Sequence, residues 1–119
     1  MAQHNELGKQ GEQIALELLI KKGYTILEKN WRFQKAEVDI IAQKESTLAI
    51  VEVKTRSSID FGSPQDFVSP KKIKRLVAAI DEYVVSRDLD VEVRFDIMAI
   101  VKEGEHFTTE HIEDAFLHF

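Results

Sequence analysis

The sequence predicts an α/β fold in which a sheet of about five strands is flanked by helices. Two stretches repeat apolar residues at helical spacing, and five others are rich in apolar and β-branched residues. They follow one another as helix, three strands, helix and two strands. Because no repeat, low-complexity tract or linker divides the chain, we expect a single domain over residues 1–119.

The first half of the chain predicts a helix and three strands. Apolar residues recur at helical spacing over residues 7–22, and Gly23 follows as a stop. Residues 24–33 have the pattern of a strand. Residues 37–43 and 47–55 are apolar, β-branched runs on either side of a short polar turn, so they predict an antiparallel hairpin.

The second half predicts a loop, a helix and two strands. A long loop over residues 55–69 ends at Ser69 and Pro70, a cap followed by proline at the first helical position. The apolar stripe of this second helix consists of Ile73, Leu76, Val77, Ile80 and Val84. Alternation over residues 91–99 predicts a fourth strand, and residues 106–112 follow a charged turn as the fifth.

The composition indicates a cytoplasmic protein without thiol chemistry. The chain contains no Cys, so a metal would be held by carboxylates or histidines, and carboxylates favour hard cations such as Mg²⁺ or Mn²⁺. The amino terminus lacks a signal-peptide pattern, and no apolar run is long enough to span a membrane.

The net charge of −5 argues against a general nucleic-acid-binding protein, but the charge is unevenly distributed. Residues 1–75 carry 13 Lys and Arg against 10 Asp and Glu, whereas residues 76–119 carry 3 against 11. Basic side chains are thus concentrated in the part of the chain that also holds the candidate catalytic residues.

Charged side chains gather at one end of the predicted hairpin. If the turn is symmetric, paired residue numbers sum to 91, and Asp39 then faces Glu52 on the same side of the sheet. By the same rule Glu37 faces Lys54 and would hold it charged. The opposite face is expected to carry Val38, Ile40, Ala42, Ala49, Val51 and Val53.

This arrangement suggests a hydrolytic site for phosphodiesters. Opposed carboxylates repel, and a divalent cation bound by Asp39, Glu52 and the carbonyl of Val53 would offset that repulsion. Lys54 would then orient or deprotonate a water molecule. Two alternatives remain open: a turn of three residues would put the two acids on opposite faces, and the charges could form only a surface salt-bridge ladder.

Glu12 lies in an apolar sector of the first helix, next to Ala15 and Leu19. An unpaired buried carboxylate is costly, so Glu12 is expected to join the metal or water network. Gly8 and Gly11 flank it, and close approach of another backbone would explain both. The alternative is that Glu12 belongs to a frayed and exposed helix start.

Cations at the start of the second helix form the candidate nucleic-acid-binding surface. The helix dipole disfavours positive charge there, so a bound phosphate is one reason for their presence, and a solvated charged face is the alternative. The candidate residues are Lys71, Lys72, Lys74 and Arg75, extended towards the hairpin by Arg32, Lys35 and Arg56. Core packing is favoured over base stacking for Trp31 and Phe33, and His4, His106, His111 and His118 receive no role.

Several motifs together resemble the YraN-like family of bacterial proteins, which is similar to the PD-(D/E)XK, or restriction-endonuclease-like, superfamily. They are Gly8-Lys9-Gln10-Gly11-Glu12, Asn30-Trp31-Arg32, Glu37-Val38-Asp39, Val51-Glu52-Val53-Lys54-Thr55-Arg56, Gly62-Ser63-Pro64 and Lys71-Lys72. The resemblance implies a restriction-endonuclease-like α/β core with a mixed central sheet. In place of the glycine that the family usually has before its Glu-x-Asp, this chain has Ala36.

The resemblance also implies roles for individual residues. The superfamily's metal-binding acid corresponds to Asp39, its second acid to Glu52 and its lysine to Lys54, and the helical glutamate of resolvase-like members corresponds to Glu12. It suggests a Mg²⁺- or Mn²⁺-dependent endonuclease acting on DNA, on branched or damaged DNA if it follows the resolvases. An enzyme that cuts two strands would be a homodimer.

Two other functions fit the same residues. One is a catalytically inactive nucleic-acid-binding module. The other is a protein-interaction domain that uses the acidic region 88–114, with the hairpin acids forming only structural pairs.

Overall fold

The computed structural model describes residues 2–57 and 69–115, with the side chains of residues 2–5 left out. Two helices and five strands follow in the predicted order. They are α1 (Ala2–Lys21), β1 (Thr25–Phe33), β2 (Ala36–Lys44), β3 (Thr47–Arg56), α2 (Pro70–Ser86), β4 (Glu92–Glu103) and β5 (His106–Ile112). Most of the predicted loop, including the Gly62-Ser63-Pro64 motif, lies outside the described residues.

The five strands form one mixed sheet in the order β1-β2-β3-β4-β5. Neighbouring strands are antiparallel except β3 and β4, which are parallel and are connected through α2. The predicted α/β fold with a mixed sheet is therefore confirmed, and it is consistent with a restriction-endonuclease-like core. No helix in the described parts of the chain is long and apolar enough to cross a membrane.

Both predicted helix boundaries have the capping chemistry that the sequence indicates. Gly23 has a φ of +98°, and the amide of Tyr24 donates to the carbonyl of Leu19 at 2.9 Å, so α1 ends in a Schellman motif. At the start of α2, the hydroxyl of Ser69 accepts from the amide of Lys72 at 3.1 Å. This bond satisfies one of the free amides of the first turn.

The helices cover opposite faces of the sheet, and each face has its own core. On the α2 face the buried cluster consists of Val38, Ile41, Leu48, Ile50, Leu76, Ile80, Tyr83 and Ile97. On the α1 face it consists of Ala15, Leu19, Tyr24, Ile40, Ala42, Ala49, Val51, Met98 and Ile100. A sheet buried on both faces explains why its central strands are nearly continuous apolar runs.

The register of the β2–β3 hairpin is the predicted one near the turn. Partners run from Lys44 and Thr47 to Ile40 and Val51, with numbers that sum to 91, so a turn of three residues is excluded. The ladder ends at the Ile40–Val51 pair. Beyond it the two strands part, which places the predicted charged residues at an opening between them.

One predicted side-chain direction is wrong. Val38 packs in the α2 cluster, whereas Ile40, two residues along the same strand, packs in the α1 cluster. Regular alternation would put both on one face. The strand is irregular at Asp39, and the residue of β1 that lies opposite, Asn30, has a φ of +51°. Asp39 therefore lies where β2 changes faces.

Candidate active site

Asp39 occupies the opening between β2 and β3. Its Oδ2 atom accepts a hydrogen bond of 2.8 Å from the amide of Val53. The carboxylate thus takes the place that a main-chain carbonyl would have if the ladder continued. This bond fixes Asp39 beside Glu52, the residue that precedes Val53, as the hairpin register predicts.

The pKa of Asp39 is raised to about 8. Burial is the largest cause, followed by the negative charge of Glu52 and contact between the two carboxyl groups. The amide of Val53 acts in the opposite direction, and the charge of Glu12 adds to the increase. The fold therefore holds Asp39 where its negative charge is poorly compensated.

Glu52 lies on the α2 face and is almost fully buried, with 8% of its side chain exposed. The Nζ atom of Lys72 on α2 lies 2.5 Å from its Oε2 atom. The angles are not those of a hydrogen bond, so in the described residues this oxygen has an ionic partner but no hydrogen-bond donor. An oxygen in this state is suited to a further electrostatic ligand.

Lys54 is half-buried, two residues from Glu52 on the same strand face. Its pKa is lowered by burial and by the positive charge of Lys72, and these effects outweigh the charges of Glu52 and Asp39. The pKa of this amine is thus shifted towards neutral pH, as suits a group that exchanges protons.

The predicted pairing of Glu37 with Lys54 is wrong. Glu37 instead accepts a hydrogen bond of 3.0 Å from Nε of Arg32, which lies directly opposite on β1. The pairing of β2 with β3 ends at Ile40, whereas its pairing with β1 continues to Ala36. Glu37 therefore has a partner on β1 but none on β3. Glu37 is therefore engaged elsewhere and does not hold Lys54 charged.

Glu12 reaches the site because α1 approaches β3 closely. A Cβ atom on Gly11 would overlap the side chain of Thr55, lying 2.8 Å from its Cβ. Close approach thus explains Gly11, whereas Gly8 has open space around it. Glu12 follows Gly11, is half-buried within α1 rather than at its start, and contributes to the raised pKa of Asp39. The frayed and exposed alternative is wrong.

A cavity of about 520 Å³ opens over these residues, and we name it the active-site cleft. Asp39, Glu52 and Lys54 line it together with Glu37 and Val53. Its other basic side chains are Lys35, Lys71, Lys72 and Arg75. Ala36 also lines it, buried and without a positive φ, so alanine fits the position where the family usually has glycine.

The remaining candidate cations lie elsewhere. Lys74 lines a neighbouring cavity, and Arg32 is bound to Glu37. Arg56 donates from Nη1 to the carbonyl of Thr55 at 2.8 Å. Among the candidate cations, Lys35, Lys71, Lys74 and Arg75 form no salt bridge within residues 2–57 and 69–115.

The donor set suits a hard cation. Two carboxylates and the carbonyl of Val53 offer oxygen atoms only, as Mg²⁺ and Mn²⁺ prefer. In the described parts of the chain, no group of three or more His, Asp or Glu side chains forms a metal site. Asp39 and Glu52 are a pair, so main-chain atoms or water would have to complete any coordination.

Sequence reasoning missed a second polar cluster, centred on the fully buried Asp96 of β4. Its carboxylate accepts from Nε of Arg94 at 2.9 Å, pairs with Nε2 of His111 at 2.8 Å and accepts from the amide of Asp114 at 3.1 Å. The sequence predicts no role for His111, whereas the structure buries its side chain against Asp96. The sequence feature that indicates this cluster is Asp96 itself, an acid within the apolar run of residues 95–101.

Known proteins match this chain over its whole length. Residues 11–100 match a family described as Uncharacterised protein family UPF0102. The UPF0102 protein FP2501 of Flavobacterium psychrophilum is 69% identical over 119 residues, which is 100% of both chains. A UPF0102 protein of Christiangramia forsetii is 60% identical over 119 residues, again 100% of both, and one of Bacteroides thetaiotaomicron is 49% identical over 116 residues, 98% of this chain and 96% of the relative. The chain therefore belongs to the UPF0102 family, the YraN-like family that its motifs resemble.

Proposed function

We propose that this protein is a divalent-cation-dependent endonuclease that hydrolyses phosphodiester bonds in DNA. The observation that carries the proposal is a pair of adjacent carboxylates, the half-buried Asp39 and the buried Glu52, at the opening between two strands with Lys54 beside them. Burying two like charges is costly and serves no packing purpose that a pair of apolar side chains would not serve better. Such a pair is expected where a cation binds.

Each residue has a distinct part in this reaction. Asp39 and Glu52 would hold Mg²⁺ or Mn²⁺ together with the carbonyl of Val53. The bound cation would supply positive charge to the phosphoryl oxygens and lower the pKa of water. Lys54 would orient the attacking water and accept its proton. Glu12 would hold a further water molecule near Asp39.

The unpaired cations fit the substrate. Lys35, Lys71 and Arg75 line the same cleft as the carboxylates and have no acidic partner in the described residues. A DNA strand crossing the cleft would place its phosphates among them. Branched or damaged DNA is the substrate class suggested by the resolvase-like pattern that includes Glu12, and a homodimer would cut both strands.

A cleavage assay in Mn²⁺ on duplex, single-stranded and branched DNA tests the proposal. Glu52→Gln and Lys54→Ala are each expected to lower the rate by about 100-fold or more. Glu110→Gln is the matched control, since Glu110 is exposed on β5 and does not line the cleft. Cleavage that persists in both cleft variants would show that the activity belongs to another site or a contaminant.

One observation favours a second function, a nucleic-acid-binding module without catalysis. The ammonium group of Lys72 already neutralises Glu52 at 2.5 Å and would compete with a metal ion. Calorimetric titration with Mn²⁺ separates the two functions. If the parent is a nuclease, Mn²⁺ binds, and Lys72→Gln binds it more tightly. If neither protein binds Mn²⁺ while DNA binding persists, the module without catalysis is correct.

A further inference from the structure

A second cavity, of about 380 Å³, adjoins the active-site cleft, and we name it the side cavity. It lies between α2 and the turn that joins β1 to β2, and its walls include Phe33, Ala36, Ala78 and the cations Lys74 and Arg75. Lys35, Ala36 and Arg75 line both cavities, so the two lie next to each other around these residues. A strand that crosses the cleft towards Arg75 would pass the side cavity.

The aromatic wall of the side cavity is held in a fixed orientation. The ring of Phe33 lies parallel to that of Trp31, with 6° between the planes and 6.1 Å between the centroids. Trp31 in turn meets Tyr83 edge-on at 5.2 Å. Phe33 is therefore the outermost of three aromatic rings that pack in a row. A flat ring that enters the side cavity could stack on Phe33 as a fourth.

We propose, on the basis of the nuclease function proposed above, that the side cavity binds an unpaired nucleobase of the DNA strand that crosses the cleft. The base would stack on Phe33 and lie against the small side chains of Ala36 and Ala78. Arg75 and Lys35, which line both cavities, would bind the phosphate between this base and the scissile bond.

The chemistry of the walls selects this ligand over others. An apolar floor with one aromatic ring suits the face of a base, and cations at the rim suit the phosphates on either side of it. A base within a duplex has both faces covered by its neighbours and cannot stack on Phe33. The side cavity thus assigns the substrate class, which is DNA with at least one unpaired nucleotide beside the cleavage site.

The single tryptophan provides a direct readout, because Trp31 lies against Phe33. The probes are a fluorescently labelled oligothymidylate of about eight nucleotides and an abasic strand of the same length, both in EDTA so that no cleavage occurs. The thymidylate should change Trp31 fluorescence and bind more tightly than the abasic strand. The abasic strand carries the same charge and so isolates the contribution of the bases.

Phe33→Leu removes the ring but keeps an apolar side chain. It should weaken thymidylate binding about fivefold or more and leave abasic-strand binding unchanged, which also shows that the variant is folded. Phe107→Leu is the matched control, since Phe107 is a half-buried phenylalanine of β5 that lines neither cavity. Lys74→Gln should weaken both strands about equally.

Two results would overturn the inference: equal affinity of the parent for both strands, or thymidylate binding that is unchanged in Phe33→Leu. The cleavage assay with Mn²⁺ separates this outcome from failure of the proposed function. A parent that cleaves DNA with no dependence on Phe33 leaves the nuclease and removes the base site. Binding that depends on Phe33 in a parent that never cleaves leaves the base site and removes the nuclease.

Discussion

Asp39 and Val53 are joined across the point where β2 and β3 part, with 2.8 Å between Oδ2 and the amide nitrogen. The bond replaces one rung of the ladder and holds a carboxylate next to Glu52. Two properties of the site follow. The acid pair is fixed by main-chain geometry rather than by flexible side chains, and the fold carries an electrostatic cost where the proposed chemistry occurs.

Asp39→Asn should stabilise the fold in EDTA while abolishing any cation-dependent activity. Because the folded pKa is raised from 3.8 to about 8, ionisation of Asp39 destabilises the fold as the pH rises between these values. The variant should therefore match the parent near pH 4 and exceed it by about 4 °C or more in Tm near pH 8. Thermal melts across this range measure the difference.

Asp39→Ala is the companion variant for that series. Asparagine keeps an oxygen that accepts from the amide of Val53, whereas alanine leaves this amide without its acceptor. Alanine should therefore be less stable than asparagine at every pH. Equal Tm values for the parent and Asp39→Asn at pH 8 would show that the carboxylate is well compensated.

The sequence was sufficient to predict features that depend on local chemistry. The helix stop at Gly23, the cap at Ser69 and the hairpin register near its turn each follow from a few neighbouring residues, and all are confirmed. The exchange of faces between Val38 and Ile40 was not predictable, because a two-residue period assumes a regular strand.

The partners of the charged residues were harder to predict than their positions. The sequence marks Glu12 as a carboxylate that needs a partner, and α1 brings it to Asp39. By contrast, the ion pair between Lys72 and Glu52 depends on how α2 crosses the sheet, which no local pattern specifies. The sequence predicts that Lys72 binds phosphate, whereas in the structure it forms an ion pair with Glu52.

Gly11→Ala and Gly8→Ala should change stability in opposite directions. A methyl group at Gly11 would overlap Thr55 and push α1 away from β3, at a cost of about 1–3 kcal/mol. The same group at Gly8 meets open space, and the better helix propensity of alanine should add about 0.5–1 kcal/mol. Urea unfolding measures both, and a loss of stability in Gly8→Ala would contradict the observed packing of α1.

The cluster around Asp96 should make the fold sensitive to acid. Burial raises the pKa of this carboxyl, but bonds from His111, Arg94 and the amide of Asp114 outweigh it, so the pKa lies below its usual value. A lowered folded pKa stabilises the fold above the unfolded pKa of about 4, and the gain is lost as pH falls through the folded value. Asp96→Asn should therefore lower the free energy of unfolding by about 3 kcal/mol at pH 7. On acidification, the stability of this variant should fall less than that of the parent.

Glu113→Gln is the control for Asp96→Asn. Glu113 is the exposed second partner of Arg94, at 3.8 Å, so its loss should cost under about 1 kcal/mol. Urea unfolding at neutral and acid pH measures the free energy of unfolding of both variants. A small effect of Asp96→Asn at pH 7 would mean that Arg94 and His111 find other partners without loss.

The salt dependence of DNA affinity should come from the cations of the cleft that have no acidic partner in the described parts of the chain, because these are the ones that would contact phosphates. Lys35→Gln and Lys71→Gln each remove a charge that has no acidic partner in the described residues, and each should lower the slope of log K against log salt by about one. Arg32→Gln removes the same charge from a residue that does not line the cleft and that is already paired with Glu37, so the slope should fall less than in the two cleft variants. Anisotropy titrations in EDTA over a range of salt concentrations measure these slopes. A slope that falls equally in all three variants would indicate general attraction to a basic surface, and the cleft would then have no special part in binding.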